Sequence, residues 1–196
     1  SGAGYALLAP PDDVDAERFA LLVDEAHAAL DSGEPERTLR LCQEAGELWS
    51  GAPFADVIDS DLVTAERSRL EDLRLHSLEL GDEALLALGR HALATGELEG
   101  LVAAHPIRER LWGLHALALS RSGRQADALR EFERARTVLR EYVGLEPSPE
   151  LRQLELAILQ QDPVLRRPDG LDEPRPPMSF VGRDDDLVGM RRALDR

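Results

Sequence analysis

The sequence of 196 residues contains no lysine, and all 23 of its basic residues are arginine. A Walker-type phosphate-binding loop, G-x-x-x-x-G-K-[ST], needs a lysine to reach the nucleotide phosphates, so this chain cannot form one. The five histidines also lack the H-E-x-x-H spacing of a zinc hydrolase, and no G-x-S-x-G turn for a nucleophilic serine occurs. We therefore expect no enzyme activity and no bound cofactor or metal in these residues.

Cysteine and long apolar runs are equally scarce. The single cysteine, Cys42, excludes an intrachain disulfide and a multi-cysteine zinc site, and it is typical of a reducing compartment. No apolar run approaches the roughly 20 residues that cross a bilayer. The first ten residues lack the basic and apolar regions of a signal peptide. A cytoplasmic location is therefore expected.

Negative charge dominates, with a formal net charge of -15. Because duplex DNA binding depends on neutralising phosphates with basic side chains, we expect this chain alone to bind DNA poorly. The charge is uneven: residues 15–105 hold 20 acidic and 7 basic side chains, whereas residues 106–143 hold 8 arginines and 5 acids. The basic stretch is either a contact surface for an acidic partner or a solvated helical face with ion pairs one turn apart.

The apolar pattern is helical. Aromatic residues make up only 4% of the chain, and strict apolar/polar alternation is nearly absent, which argues against a sheet. Helical stripes predict an all-α fold in which Gly33, Gly96 and Gly123 form the corners between hairpins. We expect a long helix from about Leu62, with an interruption near Gly81 and its end at Gly96. A short helix over 97–104 follows.

The clearest hairpin surrounds Gly123. The predicted inward residues are Ile107, Leu111, Leu114 and Ala118 before the glycine and Ala128, Phe132, Ala135 and Leu139 after it. Together with Trp112, this pattern matches one 34-residue tetratricopeptide (TPR) unit. A last helix begins at Ser148-Pro149-Glu150, an N-cap followed by a first-turn proline and acid. The predicted fold class is TPR-like helical hairpins in a right-handed array.

The two ends of the chain differ from the centre. Gly4 to Leu8 is the one strand-like run. Residues 164–177 are rich in proline and charge, which indicates a linker because such a segment buries too little apolar surface to fold alone. From Met178 a helical pattern returns, with Leu187, Met190 and Leu194 on one face.

Several blocks of sequence together resemble the bacterial transcriptional activation domain of the SARP family (Streptomyces antibiotic regulatory proteins), in its large AfsR-type form. The matching blocks are LWSGAPFAD (48–56), LGRH (88–91), HPIRERLW (105–112), GRQADAL (123–129) and VGLEPSPEL (143–151). The resemblance implies that residues 1–13 are the end of an OmpR-type winged helix and that residues 14–163 are the activation domain. It also implies that 178–196, after the linker, begin a STAND-type ATPase domain.

The resemblance further implies what the parent protein does. It would activate transcription of a biosynthetic gene cluster, with the winged helix on DNA and this domain arranging a homodimer or oligomer and recruiting RNA polymerase. The parent would bind ATP or ADP, with Val181, Gly182 and Arg183 on the adenine side. Two alternatives stay open: a TPR adaptor that binds a peptide, and a spacer in a signalling ATPase.

We predict an interaction surface from the basic stretch. Its side chains would face DNA phosphate or an acidic face of a neighbouring protomer or polymerase, through steering and charge-assisted contacts. The candidate residues are Arg108, Arg110, Arg130, Arg134 and Arg140.

Overall fold

The computed structural model describes residues 14–58 and 60–166, and within them every regular element is helical. The elements are α1 Asp15–Asp31, α2 Pro35–Glu47, α3 Asp61–Ala87, α4 His91–Ala104, α5 Glu109–Arg121, α6 Gln125–Val143 and α7 Pro149–Leu159, followed by a 3-10 turn, Pro163–Arg166. The all-α prediction is confirmed for this part of the chain. The strand predicted at Gly4–Leu8 and the segment 178–196 lie outside the described residues, as does most of the predicted linker.

The helices pack as three hairpins, α1–α2, α3–α4 and α5–α6, with α7 on the last one. α5 lies at the centre, because it contacts α3, α4, α6 and α7. Nine consecutive α5 residues, 111–119, are buried. A larger apolar core surrounds α5, and a smaller one joins α1 and α2 to α3 through residues such as Phe19, Ala45 and Leu80.

Glycine forms the hairpin corners, but one predicted corner is wrong. Gly96 lies inside α4, and the second corner is Gly89, with φ +73°. At this corner Arg90 N–H donates to Leu85 O at 2.8 Å, and at the third corner Arg124 N–H donates to Leu119 O at 2.9 Å. These bonds satisfy carbonyls at the helix ends, and the left-handed backbone they require favours glycine.

With Gly89 as the second corner, the last two corners have the spacing of a TPR repeat. Gly89 and Gly123 are 34 residues apart, which is the TPR period, whereas Gly96 implied a spacing of 27. The first corner, Gly33, lies 56 residues before Gly89. The extra length is in α3, whose 27 residues compare with 13 in α5, and in the 48–60 loop before it.

α3 is also continuous, so the predicted interruption at Gly81 is wrong. A methyl group at Gly81 would meet Cys42 Cβ at 3.8 Å, so this glycine lies against α2 within an ordinary helix. The helix after α3 begins at His91 and not near residue 97. A glycine inside a helix costs only about 1 kcal/mol relative to alanine, which tertiary packing readily offsets.

The hairpin around Gly123 agrees closely with its prediction. Seven of the eight predicted inward residues are buried: Leu111, Leu114, Ala118, Ala128, Phe132, Ala135 and Leu139. Ile107 is the exception, because it precedes α5 and is 55% exposed. The predicted cap of α7 is confirmed, since Leu151 N–H donates to Ser148 Oγ at 3.3 Å.

Candidate interaction surface

Two of the five predicted arginines meet a buried carboxylate on α3. Arg108 Nε donates to Glu79 Oε1 at 2.8 Å, and its Nη2 donates to Oε2 at 3.3 Å. Arg110 Nε lies 3.6 Å from Glu79 Oε2, and its Nη2 lies 2.9 Å from Glu83 Oε2. The Glu79 side chain is only 1% exposed. A two-nitrogen contact of this kind fixes the guanidinium plane as well as its charge, so the start of α5 is held against α3.

The pKa of Glu79 reflects this environment. Burial alone would raise it, but hydrogen bonds from His76 and Arg108, and the charges of Arg108 and Arg110, outweigh burial and lower the pKa. The pKa of Glu83 shifts in the opposite direction, since burial raises it more than Arg110 lowers it. Glu79 is therefore the ionised centre of the group.

A third α3 acid, Asp82, has no such partner. Its side chain is in the interior, 1% exposed, and its Oδ1 has no hydrogen-bond partner in the described part of the chain. Burial, followed by the nearby negative charges of Glu97 and Glu79, raises the pKa of Asp82 to about 8. A buried acid without a cation takes up a proton near neutral pH.

The network continues to α1 through two histidines. His27 Nδ1 and His76 Nε2 are 3.2 Å apart, so one ring nitrogen donates to the other. The outer nitrogens face carboxylates, with His27 Nε2 3.5 Å from Asp31 and His76 Nδ1 3.7 Å from Glu79. The chain of polar groups therefore links α1, α3 and α5.

The other three predicted arginines lie on α6 and point to solvent, with exposed fractions of 71%, 64% and 62% for Arg130, Arg134 and Arg140. Each one pairs with a carboxylate of the same chain. Arg130 binds Asp127, and Arg140 Nη2 lies 2.9 Å from Glu146 Oε1. The structure therefore divides the predicted set into a half-buried pair at α3 and an exposed group on α6.

Arg134 is the most constrained of the exposed group. Its Nη1 donates to Glu131 Oε1 at 2.6 Å, and its Cζ lies 5.6 Å from the centre of the Trp112 ring. Glu131 is buried and also contacts His115 Nδ1 at 3.3 Å. Burial lowers the pKa of His115 despite the Glu131 charge. Held on two sides, the Arg134 guanidinium keeps its remaining N–H groups available to an acidic group from solution.

A shallow depression of about 310 Å³ adjoins this arginine. Its walls are Trp112, Glu133, Arg134, Thr137 and Val138. The combination of apolar surface, one cation and one carboxylate is suited to a protein side chain rather than to a phosphate backbone, which requires a larger excess of positive charge.

Sequence reasoning missed the acids on α3. Glu79 and Asp82 share a helical face with the buried Leu75 and Leu86, because residues separated by 4, 7 and 11 positions lie on one side of a helix. A second apolar face on α3 was the available signal. It would have placed these acids inside and predicted that they need partners.

The described residues contain neither a clustered metal site nor a membrane-spanning helix. No group of three or more histidine, cysteine or acidic side chains is arranged to hold a metal ion. None of the helices combines the length and apolar character needed to cross a membrane.

The helical region is similar to known transcription regulators over most of its length. A family model described as the bacterial transcriptional activator domain matches residues 14–159. The chain is 39% identical over 164 residues to the regulatory protein DnrI of Streptomyces peucetius, covering 84% of this chain and 60% of that protein. It is 37% identical over 168 residues to the transcriptional regulator RedD of Streptomyces coelicolor, covering 86% and 48%.

A longer relative and a solved structure extend the comparison. The regulatory protein AfsR of Streptomyces griseus is 39% identical over 173 residues, which is 88% of this chain and 18% of that protein. The chain thus spans less than two thirds of each of these relatives. A structure titled Mycobacterium tuberculosis EmbR in complex with low affinity phosphopeptide matches with a TM-score of 0.78 and 28% identity, covering 98% of this chain and 47% of that one.

Proposed function

The chain belongs to the bacterial transcriptional activator domain family, and on that premise we propose that it is the helical effector domain of a transcriptional activator. In this role it helps to arrange DNA-bound protomers and to recruit RNA polymerase at promoters of biosynthetic gene clusters. The observation that carries the proposal is the family match over residues 14–159, which includes all seven described helices. Such a role belongs to the cytoplasm, where bacterial transcription takes place.

The charge of the chain supports contact with protein rather than with DNA. The net charge is -15. Binding to duplex DNA depends on an excess of basic side chains that neutralise phosphates, and this chain has an excess of acidic ones. DNA recognition therefore falls to a winged helix, of which residues 1–13 would be the final part.

The contact with an acidic partner is assigned to the exposed α6 group, Arg130, Arg134 and Arg140. Arg134 supports this assignment, because Glu131 and Trp112 orient it before a partner arrives, which reduces the entropy lost on binding. Arg108 and Arg110 take a supporting role, since their contacts with Glu79 fix α5 against α3.

Tethering tests the effector role directly. The 196-residue chain, fused to an unrelated DNA-binding domain, should activate a reporter that carries the matching operator. The unfused DNA-binding domain provides the baseline. A fusion that binds the operator but gives no activation above that baseline would contradict polymerase recruitment by this chain.

Charge reversal tests the α6 group. The triple variant Arg130→Glu, Arg134→Glu and Arg140→Glu should reduce activation by the fusion while leaving operator binding unchanged. The matched control reverses three exposed arginines on α1 and α2, namely Arg18, Arg37 and Arg40, and changes the net charge equally. Equal activation by both variants would remove the α6 assignment.

A nucleotide site belongs to the longer parent. Val181, Gly182 and Arg183 lie outside the described residues, and we assign them to the adenine side of an ATP or ADP site that a following ATPase domain would complete. In a parent protein that contains that domain, Gly182→Trp should weaken ADP binding. Unchanged ADP affinity would refute the assignment.

A further inference from the structure

Side chains at equal distances from Gly123 meet across the α5–α6 hairpin. Trp112 and Arg134 lie eleven positions before and after this glycine, and they contact each other. His115 and Glu131 lie eight positions before and after it, and they also contact each other. Within each helix the two members of the group are three positions apart, so they share one face. The antiparallel register of the hairpin therefore brings an aromatic ring, an imidazole, a carboxylate and a guanidinium together.

The polar members of this group run from the interior to the surface. The side chains of His115 and Glu131 are 6% and 8% exposed, whereas that of Arg134 is 64% exposed. Glu131 Oε2 lies 3.3 Å from His115 Nδ1, and Glu131 Oε1 accepts a hydrogen bond from Arg134 Nη1 at 2.6 Å. A carboxylate paired with arginine only accepts hydrogen bonds, so His115 donates through Nδ1. Each oxygen of Glu131 thus has its own donor, one buried and one at the surface.

The charges around His115 leave its imidazole neutral. Glu99 faces it from α4, and Glu131 and Arg134 face it from α6. Burial lowers the pKa of His115 more than the two negative charges raise it. A neutral imidazole has a single N–H, and the contact with Glu131 uses it. The histidine therefore fixes the position of the carboxylate without neutralising it, and the negative charge of Glu131 remains available to Arg134.

The other arginines of the exposed α6 group have no such support. Arg130 pairs with Asp127, whose side chain is 28% exposed, and Arg140 pairs with Glu146, which is 60% exposed. Exposed ion pairs contribute little, because holding two long side chains in one geometry costs entropy. The carboxylate that binds Arg134 is instead 8% exposed. Of these three arginines, Arg134 is the one whose direction is set from the interior of the hairpin.

We propose that His115 is a positioning residue, which holds Glu131 so that Arg134 is oriented for an acidic partner. The inference rests on the proposed function, in which the exposed α6 group makes that contact. Without the N–H of His115, Glu131 Oε2 would be a buried acceptor with no donor, which is costly. The carboxylate would then turn away from its present position. Arg134 would lose its fixed direction, and more entropy would be lost when the partner binds.

Nitrogen-15 relaxation of the Arg134 Nε–H group, measured by NMR on the 196-residue chain, tests the positioning without any partner. The signal is identified by its loss in Arg134→Lys. In the wild type its order parameter should exceed that of Arg130. His115→Leu should lower it below about 0.6, which is the range of flexible groups. His115→Asn should keep the wild-type value, because its amide N–H takes the place of the Nδ1–H.

The order of these variants separates positioning from packing. Leucine fills the space of the imidazole better than asparagine, so a role in packing alone predicts that His115→Asn has the larger effect. That result, or an unchanged order parameter in His115→Leu, would overturn the proposal. His115→Phe keeps a ring and also lacks the donor. It should behave as His115→Leu does, so a folding defect in one of the two variants leaves the other as the test.

A double-mutant cycle in the tethered fusion connects the positioning to activation. His115→Leu should reduce activation by at least about twofold, as expected for groups of one hydrogen-bond network, and His115→Asn should restore it. In an Arg134→Ala background, His115→Leu should have no further effect. An equal loss in both backgrounds would overturn the proposal. If the wild-type fusion gives no activation, the proposed function fails, and the order parameter of Arg134 still decides whether His115 orients it.

Discussion

Asp82→Asn should change how the stability of this protein depends on pH. The carboxyl is 1% exposed, and burial with the charges of Glu97 and Glu79 raises its pKa to about 8. At neutral pH the folded protein therefore holds a proton that the unfolded chain releases. Asparagine keeps the size of the side chain but cannot titrate, so the substitution removes this proton uptake.

The sign and size of the effect follow from proton linkage. The pKa of Asp82 is about 8 in the folded state and 3.8 for an aspartate in water, so the native state binds more protons between these pH values and its stability falls as the pH rises. The stabilising contribution is complete below the lower pKa and is lost through the upper one. The slope approaches about 1.4 kcal/mol per pH unit, or about 3 kcal/mol between pH 5 and pH 7.5.

Urea denaturation followed by far-ultraviolet circular dichroism measures the effect. The free energy of unfolding of Asp82→Asn minus that of the wild type should increase from pH 5 to pH 7.5. Burying the asparagine amide costs the same free energy at every pH. It therefore shifts the difference between the two proteins by a constant and does not change how that difference varies with pH. Asp24→Asn makes the same change at an exposed position of α1 and should show no such increase. Parallel curves for the wild type and Asp82→Asn would refute a protonated Asp82.

Two matched pairs of variants test the ion network and the corners by the same denaturation assay. Arg108→Ala removes a cation that neutralises the buried Glu79 and should lower the free energy of unfolding by about 2 kcal/mol. Arg130→Ala removes an ion pair whose arginine is 71% exposed and should lower it by less than about 0.5 kcal/mol. Equal losses would contradict the assigned roles. Gly123→Ala should destabilise by about 1 to 2 kcal/mol because its φ is +78°, where a Cβ is strained, and Gly96→Ala, inside α4, should stabilise by up to about 1 kcal/mol. Neither new methyl group meets an atom within 4 Å, so effects of the same sign would contradict the corner assignment.

The sequence allowed the α5–α6 hairpin to be predicted because its signals are local. An apolar stripe, a corner glycine and a returning stripe lie within about 34 residues, and Ser148 with Pro149 opens the next helix. Gly96 was misassigned because a glycine inside a helix and a glycine after one look alike without their neighbours. The repeat length measured back from Gly123 would have selected Gly89.

Less of the candidate interaction surface than of the α5–α6 hairpin could be predicted from the sequence. The stretch 106–143 was correctly identified as rich in arginine, but Glu79 and Glu83, the partners of Arg108 and Arg110, are 27 to 31 positions earlier in the chain, on α3. Only the packing of α5 on α3 brings these groups together. Partners three residues away, such as Asp127 for Arg130, follow from helical geometry alone.

Because other helices enclose α5, we expect the parts of this protein to unfold in a definite order. With residues 111–119 all buried, the backbone amides of α5 can reach solvent only after the helices on both sides have separated. Local fluctuations that open exposed segments do not provide that access. The amides of α5 should therefore report the global free energy of unfolding, whereas the α1–α2 hairpin, which packs on α3, should open first without disturbing the centre.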